Sequence, residues 1–363
     1  MSLRLVIVGV PGEKRTVALL GAAERCGAVA RLVPWDAAIA RPALVGEAGR
    51  AGDHLRVESP GGDAQIWQTL ARLGGDDRPA AAGQWRPGRG WFAGLTRALH
   101  AIDAHTTHLR ATHPSAQILA MTDKLVGHER LARAGVPVPA LLPSAHDAHD
   151  ADELRQLMRA SGRGAVYVKA RWGSSGAGVL AFRRSAGREL LTTTAELDDG
   201  RVYNRKRLRR YHERAATSAL LDTVLGDGAI VQRWLPKLGT ARGPFDLRVL
   251  VVRGEIAQTV ARVGRGTITN LHLDATRAGV EEVLAPLGPA AAANVYAVCR
   301  RAAACFPGHH SVGVDVMVDP RGNPFVLECN AWGDYLPRLL VGGLDSYDVY
   351  LRGLDDAAQA SHA

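Results

Sequence analysis

The sequence predicts a chain of mixed class, α/β at its start and α+β over the remainder. Three observations lead there. Residues 3–10 are rich in Val, Leu and Ile, and a Pro-Gly, a helical pattern to about Cys26 and a second strand at Val29–Val33 follow them. That β-α-β order marks an α/β layer. Further on, Ala165–Ala170 and Val179–Phe182 read as strands on either side of a glycine-rich loop. Beyond Phe245 the strands return as hairpins, with one alanine-rich helix between them.

Composition narrows the class. The 363 residues suffice for two or three domains, and 47% are hydrophobic against 22% charged. No apolar run approaches the ~20 residues that span a bilayer. The opening MSLRLVIVGVPGEK has too short an apolar stretch for a signal peptide and no small-residue cleavage site, so a cytoplasmic protein is expected. Cys26, Cys299, Cys305 and Cys329 show no C-x-x-C pairing, which argues against a disulfide framework or zinc knuckle. The net charge of +9 favours anionic ligands. Only five of the 45 basic residues are lysines (Lys14, Lys124, Lys169, Lys206 and Lys237), so each lysine stands out.

Taken in order, the first layer lacks G-x-G-x-x-G, and dinucleotide binding is not expected. Gln65–Leu73 reads as a helix. Residues 72–94, rich in Gly, Pro and Arg and close to Trp67, Trp85 and Trp91, read as a surface loop or a substrate-side lining. Residues 95–112 look helical. Their His100, His105 and His108, with His113 just after, fit exposed or capping roles better than a metal site. A helix opens at Thr122-Asp123-Lys124, where Thr122 or Asp123 serves as cap, and ends at Gly135. Val136-Pro137-Val138-Pro139 reads as a linker, and Asp147–Ala160 as a further helix.

Strand 165–170 carries Lys169 near its end and runs into Arg171-Trp172-Gly173-Ser174-Ser175-Gly176-Ala177-Gly178. A glycine-rich loop between strands lets backbone N–H groups close on phosphate oxygens. A flexible hairpin would show the same residues. Residues 201–214, RVYNRKRLRRYHER, hold seven basic residues against one acid. They fit an RNA-binding segment or a solvated basic face beside an anionic substrate. Ala229–Pro236 reads as a strand. Phe245–Val252 and Glu255–Arg262 form a hairpin about Arg253-Gly254, and Pro289–Cys305 is a helix.

The last hairpin pairs Gly313–Val318 with Phe325–Asn330 around Pro320-Arg321-Gly322-Asn323. With that loop, Asp319 faces Pro324 and Asp315 faces Glu328, while Asn330 shares Glu328's face. Val314, Val316, Val318, Leu327 and Cys329 form the core face. Two carboxylates and an amide on one face suit a hard cation such as Mg²⁺. An ordinary half-exposed strand shows the same alternation.

The ordered set is Asp123-Lys124 before a helix ending in GVPVP, Lys169 with its glycine-rich loop, IVQRWL, DLRVLVVRGEI, TNL, and D…E-C-N. It resembles the ATP-grasp superfamily over about residues 115–345, in particular the ribosomal-protein glutamate ligase and glutathione synthetase group. The resemblance implies an N-terminal α/β domain at 1–114 and two α+β subdomains that clasp ATP, at 115–228 and 229–355, with a flexible tail at 356–363. It implies that Lys124 and Lys169 contact phosphates and that Gly173, Ser174, Ser175, Gly176 and Gly178 cover them. Gln232, Arg233, Trp234 and Leu235 would form the hinge that holds adenine by its backbone, with Gln232 where relatives often have Glu. Lys237 would approach the ribose or the adenine edge.

Asp246 and Arg248 match the family's D-x-R, Arg262 a second catalytic arginine, and Asn270 a polar residue near substrate or phosphate. Asp315, Glu328 and Asn330 match the ligands of Mg²⁺, with Mn²⁺ as an alternative. The implied reaction joins a carboxylate to an amine through an acylphosphate, releasing ADP and phosphate. The substrates would be small molecules, peptides or proteins. Nucleic acid and membrane are not expected as partners, and a homo-oligomer would suit the resemblance. A kinase on the same scaffold, or a nucleotide-binding regulatory or scaffold protein, is the alternative.

Overall fold

The computed structural model describes residues 2–79, 81, 83–143, 148–173, 178–264, 266, 268–269, 276–333 and 335–360. Three sheets organise it. The first is parallel, in order β2-β1-β3-β4, with β1 at Arg4–Gly9, β2 at Val29–Pro34, β3 at His54–Val57 and β4 at Arg110–Ala111. Five helices lie between these strands, namely α1 (Lys14–Arg25), α2 (Trp35–Ala40), α3 (Ala43–Glu47), α4 (Ala64–Leu73) and α5 (Gly88–His105). The expected β-α-β opening is present, with β1 and β2 in parallel register. Glu13 caps α1 by accepting from the Arg15 amide at 2.7 Å, and Asp63 caps α4.

Helix α5 starts seven residues before the expected segment. Its first amides find a distant cap, since Gly88 N donates to Asp227 Oδ2 at 2.6 Å. Helices α4 and α5 cross so closely that a Cβ on Gly94 would overlap the Leu70 carbonyl oxygen, and one on Gly74 would overlap that of Gly90.

Helices α6 (Ser115–Thr122) and α7 (Lys124–Arg133) meet at Asp123, which caps α7. The second sheet follows, with α8 (Ala151–Ala160), β5 (Ala165–Ala170), β6 (Val179–Ser185), β7 (Arg188–Asp198), β8 (Arg201–Tyr211), α9 (Arg214–Asp227) and β9 (Ala229–Arg233). Its order is β8-β7-β6-β5-β9. Helix α8 begins later than expected because Asp150 caps it, accepting from the Asp152 and Glu153 amides. Asp147 lies outside the described residues.

The third sheet, β13-β12-β11-β14-β15, has β10 beside β11. Its elements are β10 (Gly239–Thr240), β11 (Gly243–Val252), β12 (Glu255–Val263), β13 (Thr276–Ala278), α10 (Val280–Leu284), α11 (Pro289–Ala304), β14 (Ser311–Val318) and β15 (Pro324–Asn330). Helix α12 (Ser346–Ala360) ends the described chain, so residues 356–360, expected as flexible tail, continue a helix. Residues 361–363 lie outside the described residues. No single helix among the described residues is long and apolar enough to cross a membrane.

The cores divide unevenly. One continuous core joins the first sheet, α2 to α5, α6, α7 and the third sheet. The second sheet has its own core, from Leu142 to Val231. Helix α12 packs Tyr347, Tyr350, Leu351 and Leu354 against Leu5, Ile7 and Leu19. His113, expected to be exposed or capping, is buried in this region with Thr112, Arg56 and Ser311 as partners. Burial, with His309 and Arg56 nearby, holds its pKa well below the usual histidine value.

Candidate active site

The site lies where the second and third sheets face each other. On the third sheet, strand register sets the side chains. Asp246 pairs with Arg262 across β11 and β12, Arg248 with Asp315 across β11 and β14, and Asp315 with Glu328 across β14 and β15. Opposed residues share a face, so these five side chains form one charged face over a core of Val314, Val316 and Val318.

The expected Asp315–Glu328 pairing is present, but by another route. Val318, not Asp319, faces Pro324, and a bulge between Asp315 and Val316 restores the register. The bulge takes Leu327 out of the ladder, and Val326 fills the core position expected for Leu327. Asp319 instead bonds the turn, accepting from the Arg321 and Asn323 amides.

The charges interlock. Arg248 grips Asp315 through two bonds of 2.5 and 2.9 Å, and Arg262 reaches it at 3.0 Å. Arg262 also donates to Asp246 at 2.6 Å, whose other oxygen accepts from Lys237 at 2.8 Å. Burial alone would raise the Asp315 pKa, yet Arg248 and Arg262 outweigh it and hold the carboxyl well below its ordinary value. Burial likewise opposes Asp246, and Arg262 with Lys237 keeps it ionised. Thr269, which the sequence reading passed over in favour of Asn270, bonds both Asp246 and Lys237. Asn270 lies outside the described residues.

The second sheet and α7 contribute the remaining cations. Lys124, the first residue of α7, donates to the Gly173 carbonyl at 2.7 Å and pairs with Glu328 at 3.3 Å. Asp123 accepts from Arg171 at 2.7 Å and from the Trp172 indole at 3.3 Å, fixing the start of the glycine-rich loop. Its role beyond capping was not legible, because its partners lie 48 and 49 residues away. Lys169, the last residue but one of β5, faces the same site. Burial lowers its pKa to about 8, with Glu328 opposing and Lys124 and Lys237 reinforcing the shift. Five cations thus surround three carboxylates, a surplus that attracts polyanions.

The glycine-rich segment is described only at its ends. Gly173 N donates to Ala170 O, and Gly178 has φ +69° with its carbonyl on the Ala170 amide. Ser174, Ser175, Gly176 and Ala177 lie outside the described residues. A Cβ on Gly178 would strike the Trp85 ring, so Trp85 lies over the loop's exit. Trp172 stacks on Phe92 at 5.7 Å.

At the expected hinge, Gln232 ends up buried on the Lys169 face, opposite Tyr167. Arg233 N donates to the Ala140 carbonyl, and Trp234 stacks on Tyr167 at 4.7 Å. Leu235 leads on to Lys237, which turns to Asp246 rather than outward.

The oxygen donors Asp315, Glu328 and Asn330 fit a hard divalent ion. Asp315 and Glu328 stand opposite each other across β14 and β15, a juxtaposition of carboxylates that a cation relieves. The Asn330 Nδ2 is buried with no partner among the described residues, as is the Gln232 Nε2. Buried orphans of this kind cost free energy until a ligand or solvent meets them.

A family model described as YheC/D like ATP-grasp matches residues 119–334. No curated protein matches the sequence. Among solved structures, D-cycloserine synthetase DcsG superposes with a TM-score of 0.57 at 15% identity, covering 98% of this chain and 99% of that one. The N5-carboxyaminoimidazole ribonucleotide synthetase purK, in its ADP complex, gives 0.58 at 13% identity over 97% and 76%. The ATP-grasp ligase PsnB with its precursor peptide and AMPPNP gives 0.52 at 15% identity over 97% and 98%. At such identities the likeness speaks for the fold.

Proposed function

We propose, because the chain belongs to the YheC/D-like ATP-grasp family, that it is an ATP-dependent carboxylate–amine ligase that forms ADP. The observation that carries this reading is the interlocked face of Arg248, Arg262, Asp315 and Glu328, set opposite Lys124 and Lys169. The likeness to the ribosomal-protein glutamate ligase and glutathione synthetase group rests on the D-x-R and E-C-N motifs and belongs to the same proposal. PsnB carries a precursor peptide and DcsG is named for a small product, so both substrate sizes suit the fold.

In this reading Lys124 and Lys169 hold the phosphates beneath the Gly173–Gly178 loop. The backbone around Gln232–Leu235 and the free Gln232 amide meet the purine. Asp315, Glu328 and Asn330 would hold Mg²⁺, and Mn²⁺ accepts the same donors. The bound ion would neutralise charge on the phosphates. The substrate carboxylate attacks the γ-phosphorus, the bond to ADP breaks, and an acylphosphate forms. The amine nitrogen then attacks the acyl carbon and phosphate leaves with the C–O electron pair. Arg248 and Arg262 take up negative charge as it spreads over the transferring group. Asp315 and Asp246 hold both guanidiniums in place beforehand, so little reorganisation accompanies the step.

Lys169 makes nucleotide binding pH-dependent. Phosphate favours its charged form, so ATP affinity falls as the pH rises through about 8. Stability has the opposite sign. The unfolded chain keeps the proton up to 10.5, so the ligand-free fold gains stability between about 8 and 10.5. Calorimetric titration of ATP from pH 7 to 9.5 checks the first statement, and Lys169→Arg, which stays charged, flattens the profile. A flat profile in the unmodified protein would place the ammonium away from phosphate.

The test of function is ATP turnover with Mg²⁺ and hydroxylamine across pools of amino acids, dipeptides and cell extract. ADP together with hydroxamate supports the ligase. ADP with a stable phosphoester would make the protein a kinase, and AMP would contradict attack at the γ-phosphate.

A further inference from the structure

Strand β8 is an edge of the second sheet, and its basic residues are arranged around a break in its ladder. Thr193 pairs with Arg209 and Ala195 with Asn204. Residues 205–208 therefore bulge out opposite Thr194 alone. The bulge reaches the site, since a Cβ on Gly266 would lie 3.3 Å from Leu208 Cδ1. Gly266 belongs to the loop that carries Thr269 on to Asp246.

The edge already accepts an extended chain. Trp85 N donates to Val202 O at 2.7 Å and Asn204 N to Gly83 O at 2.8 Å, so Gly83–Trp85 forms a short antiparallel addition. Beyond Asn204, among the described residues, no further backbone partner lies on this edge. Open ladder groups on an edge strand are a template for another strand. Arg201, Arg205, Arg207, Arg209 and Arg210 are exposed along it. Arg205 and Arg209 share Glu196, whereas Arg207 and Arg210 meet no carboxylate among the described residues.

We propose that the β8 edge beyond Asn204 docks an acidic, extended peptide segment of the substrate, held by strand addition and by Arg207 and Arg210. The binding rests on the ligase reading only in making that peptide a substrate. A peptide suits the edge better than a nucleic acid does, because ladder groups match a peptide backbone. The aromatics needed to stack bases are also engaged. Tyr211 bonds the Ala195 carbonyl, and Arg205 lies 5.2 Å over the Tyr203 ring.

The experiment uses the full chain without ATP and a fluorescein-labelled decapeptide of alternating Glu and Thr, read by polarisation. Saturable binding is expected, weakened about tenfold in the R207Q/R210Q double variant and unchanged in R41Q/R72Q, which removes equal charge elsewhere. Methylating alternate backbone nitrogens of the peptide is expected to abolish binding, a readout independent of any variant's folding. No saturable binding would overturn the proposal and leave the arginines as guards of an edge strand. Equal binding of the methylated peptide would overturn strand addition. Tighter binding of a single-stranded oligonucleotide of the same charge would overturn the peptide in favour of nucleic acid. Peptide binding without hydroxamate from any acid would sink the ligase reading alone.

Discussion

Asp315→Ala is expected to reduce hydroxamate formation by about 10²–10³, the scale of losing one preorganised charge contact in a site. Removing this carboxylate strips Arg248 of both its bonds to a carboxylate and Arg262 of one, and takes away a proposed metal ligand. It also leaves the part-buried Arg248 guanidinium without a counter-ion, while Arg262 keeps Asp246. Losing one partner of a buried ion pair costs about 3–5 kcal/mol, so urea unfolding should show a loss of that order. Because the Asp315 pKa is depressed in the fold, its contribution to stability is full above pH 3.8 and disappears as the pH falls towards about 2. The variant should therefore lose part of the acid sensitivity of the parent. Near-normal turnover with unchanged unfolding would remove Asp315 from the site altogether.

Gly313→Ala is expected to cut turnover by about 10²-fold while leaving ATP affinity within a few-fold. A Cβ at Gly313 would sit 2.5 Å from the Gly333 Cα, against backbone that cannot rotate aside. The segment after β15 must then lift. It carries Gly333 O, which accepts from Arg248 at 3.3 Å, and Trp332, whose indole donates to Val57 O. A shift of about 1 Å in a positioned group costs on that scale, and overpacking adds about 1–3 kcal/mol of destabilisation. Steady-state kinetics beside ATP titration separate the two effects. Unchanged kcat would show that the loop can move without disturbing Arg248.

Much of this site was legible because short-range rules placed it. Hairpin alternation brought Asp315, Glu328 and Asn330 to one face, and the scarcity of lysine singled out Lys124 and Lys169. The register itself was half legible. The pairing of Asp315 with Glu328 holds, but a bulge at Leu327 supplies it, and a bulge has no signature in alternating residues. The region 36–95 was opaque for a different reason. Gly74, Gly90 and Gly94 read as loop formers, whereas they let two helices touch backbone to backbone. The cap that starts α5 is Asp227, 138–139 residues away. The buried His113 was misjudged likewise, since Arg56 and Ser311 come to it from distant strands.

The way the chain enters and leaves the second sheet has a mechanical consequence. Pro137 O accepts from Val326 in the third sheet, and Ala140 O from Arg233 in the second. On the return, Leu238 N is bonded to Val318 O. The two crossings are thus only a few residues long and run side by side. We propose 140 and 233 as the limits of the moving unit, in place of 115 and 228, because α6 and α7 share the core of the larger body. That body keeps one core whichever way the smaller unit swings. The arrangement is a door on a single two-leaf hinge, whose frame does not need the door in order to stand. Replacing 141–232 with a short turn should leave a folded frame, observable as a cooperative unfolding transition. The same geometry would let doors with different edges be exchanged on one frame, changing what is admitted while keeping Arg248, Arg262, Asp315 and Glu328 in place.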